Sequence, residues 1–188
     1  MQWDINLTYQ LNNFAIKTST ISWIVIFLGE YFIYLIFLSF FLIGYILYQK
    51  QKRVNILFPF ISAVLSALLA YFPVTFIIKY LTVRPRPFMV LTLHKLITDN
   101  SFAFPSGHTT FLFALGAMIF PYHKTIGMFA LIGGCIVGTA RIAAGVHYPT
   151  DIIGGAVIGT MIGFCVYTLH KHLLAKYYTR LFTTKKHQ

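Results

Sequence analysis

The chain has 188 residues, of which 57% are hydrophobic and 10% are charged, and its mean hydropathy is +0.72. Soluble domains carry about 25% charged residues, so this composition excludes an ordinary soluble protein and predicts a single membrane-embedded domain over residues 1–188. The net charge of +11 does not indicate a nucleic-acid partner, because the basic residues flank apolar segments and are not interleaved with stacking aromatic residues.

The first predicted element is an amphipathic helix over residues 3–16. Apolar side chains such as Trp3, Leu7 and Phe14 recur at mostly three- and four-residue spacing, and polar side chains such as Asp4 occupy the other faces. A helix with this pattern is expected to lie in the plane of the membrane interface.

Five apolar segments follow, over residues 21–48, 54–78, 106–120, 126–140 and 152–169. The first is longer than the about 20 residues that a membrane span requires, and we expect an interruption near Gly29. The third would be only about 22 Å long, against a hydrocarbon core of about 30 Å, so its outer end should lie below the lipid headgroups. The pattern predicts an all-α, polytopic bundle of five to six membrane segments with an N-terminal amphipathic helix.

The distribution of charge predicts the orientation of these segments. Nine of the fifteen Lys and Arg residues lie in the 49–53 loop, at the 122–124 turn or after residue 170, and basic loops favour the cytoplasmic side. This arrangement places the connections 79–105 and 141–151 on the external side.

Small residues predict close helix packing in the last two segments. Gly155, Gly159 and Gly163 recur every four residues in the last one, and Gly134 and Gly138 do so in the one before. Both cysteines, Cys135 and Cys165, are predicted to be small buried residues.

Polar residues stand at the external ends of three apolar segments. The last group contains Arg141, His147 and Asp151. A carboxylate four residues after an imidazole can accept its Nδ1 proton and leave Nε2 free to attack an electrophile, and a guanidinium group suits phosphate oxygens. Taken alone, these residues fit a structural histidine at a capped helix start equally well.

The other two groups strengthen the case for a phosphate site. Pro105-Ser106-Gly107-His108 opens one apolar segment, and a helix N-terminus binds anions through its free N–H groups. Lys79 and Arg86-Pro87 stand at the end of another segment and add two cations. The acids are too few and too dispersed for a magnesium or zinc site.

Together, Lys79-x6-Arg86-Pro87, Pro105-Ser106-Gly107-His108 and Arg141-x5-His147-x3-Asp151 resemble the three-part signature of the type 2 phosphatidic acid phosphatase (PAP2) family, in its order and spacing. One departure is Ala140, where many members have Ser before the arginine. The resemblance implies a metal-independent phosphatase without a cofactor. It also implies roles: His147 as the nucleophile that forms a phosphohistidine, Asp151 as its orienting partner, His108 as the acid and then the base, and Lys79, Arg86, Ser106, Gly107 and Arg141 as phosphate ligands.

Within that family, the small size, the amphipathic start and the outward-facing site resemble bacterial undecaprenyl-diphosphatases of the bacitracin-resistance type. This likeness implies a prenyl diphosphate substrate and a location in the bacterial cell membrane. A phosphatidylglycerophosphate or phosphatidate phosphatase would share every catalytic residue, and a small transporter or an inactive lipid-binding protein belongs to a different class. Glu30 is either an interfacial carboxylate or a partner of a site cation, and Arg84 lies beside the first motif with no assigned role.

Overall fold

The computed structural model describes residues 1–52 and 57–184, the side chains beyond residue 173 excepted. All regular elements in these ranges are helical, which confirms the all-α class. Two five- to six-residue π-helical turns, Phe27–Tyr31 and Ala70–Thr75, connect helices end to end. The α-helices are α1 (Gln2–Ala15), α2 (Ser19–Ile26), α3 (Phe32–Gln51), α4 (Leu57–Leu69), α5 (Phe76–Thr82), α6 (Pro87–Val90), α7 (Gly107–Ile119), α8 (Lys124–Ala143) and α9 (Pro149–Thr184).

Among the residues that the structure describes, four stretches are long and apolar enough to cross a membrane, and α7 is apolar but shorter. The four stretches are Ser19–Gln51, Leu57–Val90, Lys124–Ala143 and Pro149–Leu173. Together with α7 they correspond to the five predicted apolar segments, so the protein is a multi-pass membrane protein.

The second apolar stretch continues beyond its predicted end at residue 78. Lys79 lies inside α5, which ends where Val83 adopts a left-handed conformation with φ of 47°. The charge does not end the helix, because the Lys79 ammonium donates hydrogen bonds to Ser101 and to the Phe102 carbonyl. A charged side chain with such partners is compatible with a continuing helix.

The two π-helical turns interrupt the first two long stretches. The turn at Phe27–Tyr31 is the interruption predicted near Gly29. The turn at Ala70–Thr75 contains Pro73, which has no N–H to donate to the helical ladder. This second interruption was not predicted from the sequence, although the proline was its signal.

Helix α7 lies at the centre of the bundle, where it packs against α4, α8 and α9. The glycines of α9 allow the close approach: a Cβ atom at Gly163 would lie 2.6 Å from the Ala114 carbonyl oxygen, and one at Gly155 would lie 2.9 Å from that of Ser106. The packing role predicted for these glycines is therefore confirmed. The cysteine prediction is wrong, since Cys135 and Cys165 are both exposed on outer helix faces.

Helix α1 packs against the bundle through its polar side. Asp4, Thr8 and Asn12 are at most 2% exposed, whereas Trp3 and Phe14 face outward. The Asn12 amide nitrogen donates to the carbonyl oxygens of residues 94 and 143, at 2.8 and 2.9 Å. Periodicity alone located the helix correctly but did not reveal that its polar side is buried against the protein.

Candidate active site

The three predicted motifs meet at one end of the bundle. Most of their charged side chains have at most 1% of their surface exposed. Charges so deeply buried require partners. The residues come from six places in the chain: Lys79 from α5, Arg86 from the segment before α6, His108 from the first turn of α7, Arg141 from the last turns of α8, His147 from the α8–α9 connection and Asp151 from the first turn of α9.

The connection between α8 and α9 fixes the position of His147. Gly145 takes a φ of 78°, which a residue with a side chain adopts only at a cost, and the chain turns there. Pro149 then begins α9 at the position where a missing N–H is harmless. Asp151 lies in the first turn and accepts a hydrogen bond from the Tyr148 N–H at 2.8 Å, as is favourable at a helix N-terminus.

The two ring nitrogens of His147 face different partners. Nδ1 lies 3.4 Å from Asp151 Oδ2, and Nε2 lies 3.3 Å from Nη1 of Arg86. A guanidinium group can only donate, so Nε2 must accept and a neutral ring carries its proton on Nδ1. Burial lowers the pKa of His147 well below its usual value, and the charges of Arg141 and Arg86 lower it further. The imidazole is therefore neutral at neutral pH, with the Nε2 lone pair on the side of the cations.

Arg86 is held by the loop before α7 and by the connection between α8 and α9. Its Nε donates to the Ser101 carbonyl at 2.6 Å, Nη1 donates to that of Val146 at 2.7 Å, and Nη2 forms an ion pair with Asp99 at 2.7 Å. These contacts fix the plane of the guanidinium group beside His147. A fixed planar fork suits recognition of phosphate oxygens.

Arg141 approaches the same carboxylate from α8. Its Nη2 donates to Asp99 Oδ2 at 2.6 Å, and Nη1 donates to the Gly29 carbonyl of the first π-helical turn at 3.1 Å. Glu30 lies 3.5 Å from Nη1, which favours its assignment as a partner of a site cation. The buried Nε of Arg141 has no acceptor in the described part of the chain. A bound anion would supply one.

Asp99 is a site residue that the sequence analysis missed. Its Oδ2 bridges Arg86 and Arg141, and its Oδ1 accepts hydrogen bonds from the Ser101 N–H and hydroxyl. Burial alone would raise the pKa of this carboxyl, but the two arginines and the Ser101 N–H outweigh it and the pKa lies below its usual value. Lys79 also contacts Ser101, at 2.8 Å. An isolated acid in a connection rich in cations was the available signal.

Arg84, which had no assigned role, lies on the far side of Asp151 from His147. Its Nη1 donates to Asp151 Oδ1 at 2.6 Å and to the Thr150 hydroxyl at 2.7 Å. Its Nη2 forms an ion pair with Asp4 of α1 at 2.7 Å. Its guanidinium carbon lies 4.2 Å from the centre of the Tyr148 ring. Asp4 was predicted only as a polar residue of the amphipathic helix.

The start of α7 contributes unequally to the site. Gly107 and His108 line a cavity, and a Cβ atom at Gly107 would lie 2.9 Å from the Tyr71 ring. His108 Nε2 lies 3.5 Å from Nη1 of Arg141. Ser106 is fully buried, and its hydroxyl accepts a hydrogen bond from Thr109 at 3.2 Å. The hydroxyl predicted as a phosphate ligand therefore faces the protein interior in this structure.

Two adjoining cavities meet at His108. One, of about 340 Å³, is polar on one side and includes Lys79, Asp99 and His147 among its lining residues. The other, also about 340 Å³, is lined by apolar and aromatic side chains of α3, α4, the second π-helical turn and α7, with His108 at its end. The polar site thus opens sideways into an apolar groove between α3 and α4. Over residues 1–52 and 57–173, no three His, Cys, Asp or Glu side chains are grouped to hold a metal ion.

Comparison with known proteins identifies the family. Residues 57–174 match the PAP2 superfamily. The chain belongs to the PAP2 superfamily. The motif resemblance is thereby confirmed, and the matched segment begins at α4, so that α1 and the first π-helical turn lie outside it.

Two relatives in this superfamily align with most of the chain. The chain is 35% identical over 162 residues to the bacitracin transport permease protein BcrC of Bacillus licheniformis. The alignment covers 84% of this chain and 75% of that protein. It is 33% identical over 150 residues to the undecaprenyl-diphosphatase BcrC of Bacillus subtilis (strain 168), covering 78% and 73%.

Solved structures share the fold of this PAP2 protein. Aquifex aeolicus LpxE superimposes with a TM-score of 0.65 at 24% identity, covering 87% of this chain and 93% of that one. The first transmembrane PAP2 type phosphatidylglycerolphosphate phosphatase from Bacillus subtilis also gives a TM-score of 0.65, at 19% identity, covering 91% and 86%. At these identities the likeness concerns the fold alone.

Proposed function

We propose that this PAP2 protein hydrolyses undecaprenyl diphosphate to undecaprenyl phosphate and inorganic phosphate, through a phosphohistidine intermediate, in a bacterial cell membrane. The observation that carries the proposal is the position of the buried His147 imidazole, whose Nε2 faces Arg86 beside a cavity that continues into an apolar groove. A nucleophile next to phosphate-binding cations suits phosphoryl transfer. The alignment with BcrC undecaprenyl-diphosphatase over most of the chain suggests the lipid.

Substrate binding replaces one anion by another. The terminal phosphoryl group of the substrate takes the position between Arg86 and Arg141 that the Asp99 carboxylate occupies in the free protein. One of its oxygens also meets the free Nε of Arg141, and Lys79 approaches from α5. Several charge-assisted hydrogen bonds then neutralise the phosphoryl oxygens before the nucleophile approaches.

The first chemical step transfers the phosphoryl group to the enzyme. Nε2 of His147 attacks the terminal phosphorus, the bond from phosphorus to the bridging oxygen breaks, and its electron pair leaves with that oxygen. His108 takes up a proton from solvent as the anionic substrate enters the site, and it then protonates the leaving undecaprenyl phosphate as general acid. The imidazole becomes positively charged while keeping its proton on Nδ1, and the Asp151 carboxylate stabilises that charge.

The second step regenerates the free enzyme. His108, now neutral, accepts a proton from a water molecule whose oxygen attacks phosphorus. The bond between phosphorus and Nε2 breaks and its electron pair returns to the His147 ring. Inorganic phosphate leaves, and the net reaction consumes one water molecule.

The lipid chain follows the apolar groove. Tyr71 and Phe72 line both cavities, and residues of α3 such as Tyr34 and Phe37 form the far wall of the apolar one. This surface would bury the first units of an isoprenoid chain that stays within the bilayer. A phospholipid tail fits the same chemistry, so a phosphatidylglycerophosphate or phosphatidate phosphatase is the alternative outcome of the substrate test.

The site is proposed to face the outside of the cell. The start of α3 follows the π-helical turn that contacts Arg141, and α3 ends in the basic segment that includes Lys50, about 30 Å away at about 1.5 Å per residue. Basic loops favour the cytoplasm. Single cysteines are introduced at Thr98 and at Gln51 in a background without Cys135 and Cys165. On intact cells, an impermeant thiol reagent should label T98C and leave Q51C unlabelled. Labelling of Q51C alone would reverse the orientation.

The substrate test compares kcat/KM of purified protein in detergent, with a chelator present, for undecaprenyl diphosphate, phosphatidylglycerophosphate, phosphatidate and a soluble phosphate ester. We expect undecaprenyl diphosphate to be preferred and H147A to be inactive on all four. A preference for phosphatidylglycerophosphate would keep the mechanism and change the substrate. No phosphate release from any of them would favour transport, although the reactive groups cluster at one end of the bundle and do not follow a path through it.

A further inference from the structure

Helix α1 brings a buried carboxylate to the back of the catalytic pair. Asp4 is 2% exposed and is not one of the residues that line the polar cavity. Its Oδ2 accepts from Arg84 Nη2 at 2.7 Å and from the Thr150 hydroxyl at 2.7 Å, and its Oδ1 accepts from the Thr150 N–H at 3.0 Å. A buried carboxylate with this many donors is held in one position.

Arg84 and Thr150 close a ring with this carboxylate. The Thr150 hydroxyl accepts from Arg84 Nη1 at 2.7 Å, and it uses its single proton to donate to Asp4. The same Nη1 donates to Asp151 Oδ1 at 2.6 Å. Because three hydrogen bonds close the ring, Asp4 fixes the direction from which Arg84 reaches Asp151.

The charge on Asp151 also depends on Asp4. If Arg84 were paired with Asp151 alone, its positive charge would neutralise that carboxylate more fully. The carboxylate would then attract an imidazolium less strongly. Asp4 shares the charge of Arg84, so Asp151 keeps more of its negative charge toward His147 Nδ1, which lies 3.4 Å away. In a buried site with low effective dielectric, such a shared charge has a large effect.

We propose that Asp4, acting through Arg84 and Thr150, is a positioning residue for the His147–Asp151 pair. The inference rests on the proposed nucleophilic role of His147. Asp4 lies in α1, outside the segment 57–174 that matches the PAP2 superfamily, so the amphipathic helix completes the support of a site that the matched segment supplies.

The test compares D4N with N12A in the full-length protein in detergent. Asn12 also anchors α1, through residues 94 and 143, but it contacts neither Arg84 nor Thr150. We expect D4N to lower kcat about tenfold to a hundredfold, by analogy with the hydrogen-bond partners that orient metal-bound histidines, with KM within about twofold because the phosphate-binding side is unchanged. N12A should lower the unfolding temperature and leave kcat near that of the unsubstituted protein.

A double-substitution cycle separates positioning from anchoring. Because Asp4 acts through Arg84, the kcat of D4N/R84Q should equal that of R84Q within about twofold. Independent, multiplied losses would overturn the proposal, and so would a D4N protein that matches N12A in both stability and kcat. If D4N does not fold, T150V, which removes the bridging hydroxyl and keeps both charges, should still lower kcat several-fold with KM unchanged, and an unaltered kcat would count against the inference.

A different set of results would contradict the proposed function. Robust turnover by H147A would remove the nucleophile and with it the basis for a positioning role. An inactive H147A together with a D4N of unaltered kcat would overturn the role of Asp4 alone.

Discussion

The two sides of the His147 ring carry opposite electrostatic surroundings. On the Nε2 side, Lys79, Arg86 and Arg141 surround the single bridging carboxylate of Asp99. On the Nδ1 side, the carboxylates of residues 4 and 151 share the single guanidinium group of residue 84. Within the described part of the chain, the carboxylates on the Nδ1 side have partners without a ligand, whereas the Nε2 side has an excess of positive charge and one buried donor without an acceptor. This difference supports the proposal that the anionic substrate binds on the Nε2 side and that the Nδ1 side supports the ring.

The largest effect should come from the ring itself. H147A is expected to lower kcat by at least about 10⁴-fold, the scale seen when a catalytic unit is broken. H108A should also abolish turnover, but for a different reason: a diphosphate is a good leaving group, so the phosphoenzyme can form and then cannot be hydrolysed. Quenched reactions with substrate labelled in the terminal phosphate should therefore trap an acid-labile phosphoprotein in H108A and none in H147A. Trapping in H147A would move the nucleophile elsewhere.

The next effect concerns the groove that adjoins the Nε2 side. We expect kcat/KM for undecaprenyl or farnesyl diphosphate to exceed that for a soluble phosphate ester by at least about a hundredfold, or about 2.7 kcal/mol. Phe111 lines the apolar cavity, with its ring 5.5 Å from that of Phe37. F111N should reduce the preference about tenfold, because a polar group replaces apolar surface that the lipid would bury.

Phe164 offers a matched control for that substitution. It lies on the outer face of α9, is 57% exposed and lines none of the cavities at the site. F164N should keep the full preference for lipid substrates. Equal efficiency on soluble and lipid phosphates in the unsubstituted protein would show that the site is open to water and that the groove does not bind the tail.

The parts of the site and of the fold differ in how well the sequence predicted them. The proposed catalytic residues, His108, His147 and Asp151, stand in motifs that are local in sequence and specific in spacing, so the sequence alone was enough to propose them. The π-helical turn that contacts Arg141 was anticipated near Gly29 only as an interruption. The helix class and the approximate bounds followed from long apolar runs, which are the strongest signal a sequence carries.

Contacts between distant segments were not predictable in this way. Asp4 and Thr150 are 146 residues apart, and nothing in the pattern of α1 indicates which neighbour its polar side meets. Ser106 was predicted as a phosphate ligand because serine at a helix start exposes donors, but the close packing of α7 against α9 buries its hydroxyl against Thr109. Asp99 lies in an irregular connection, where periodicity gives no information about direction.

Substitution of Asp99 tests the excess of positive charge on the Nε2 side of the His147 ring. In the proposed binding mode its carboxylate competes with phosphate for Arg86 and Arg141, so D99N should increase the excess of positive charge on the Nε2 side. Inorganic phosphate is expected to inhibit D99N at about tenfold lower concentration, or about 1.4 kcal/mol, and release of this product should slow turnover. Unchanged or weaker inhibition by phosphate would mean that the anion binds elsewhere. E30Q is the matched control, because Glu30 lies 3.5 Å from Arg141 and is more exposed, and it should change the inhibition less.

The smallest expected effect is a shift in pH dependence. Burial lowers the pKa of His147 well below its usual value, and the positive charges of Arg141, Arg86 and Lys79, with a smaller contribution from His108, lower it further. The nucleophile is active when neutral, that is, above its pKa. The acidic limb of kcat/KM, which reports the free enzyme, should therefore lie below the usual histidine value of about 6.5.

Removing a cation near Nε2 should raise the pKa of His147. R86Q takes away a positive charge that opposes protonation of Nε2, so the pKa of His147 should rise and the acidic limb should move to higher pH, in addition to the lower kcat/KM. K95Q removes a charge whose ammonium lies over the Phe88 ring and outside the site, and it should leave the limb in place. Each profile is measured with two substrates whose phosphates ionise at different pH, so that ionisation of the substrate can be separated from that of the enzyme. An acidic limb at or above pH 6.5 in the unsubstituted protein, or a limb that R86Q moves to lower pH, would show that the cations on the Nε2 side do not hold the imidazole neutral.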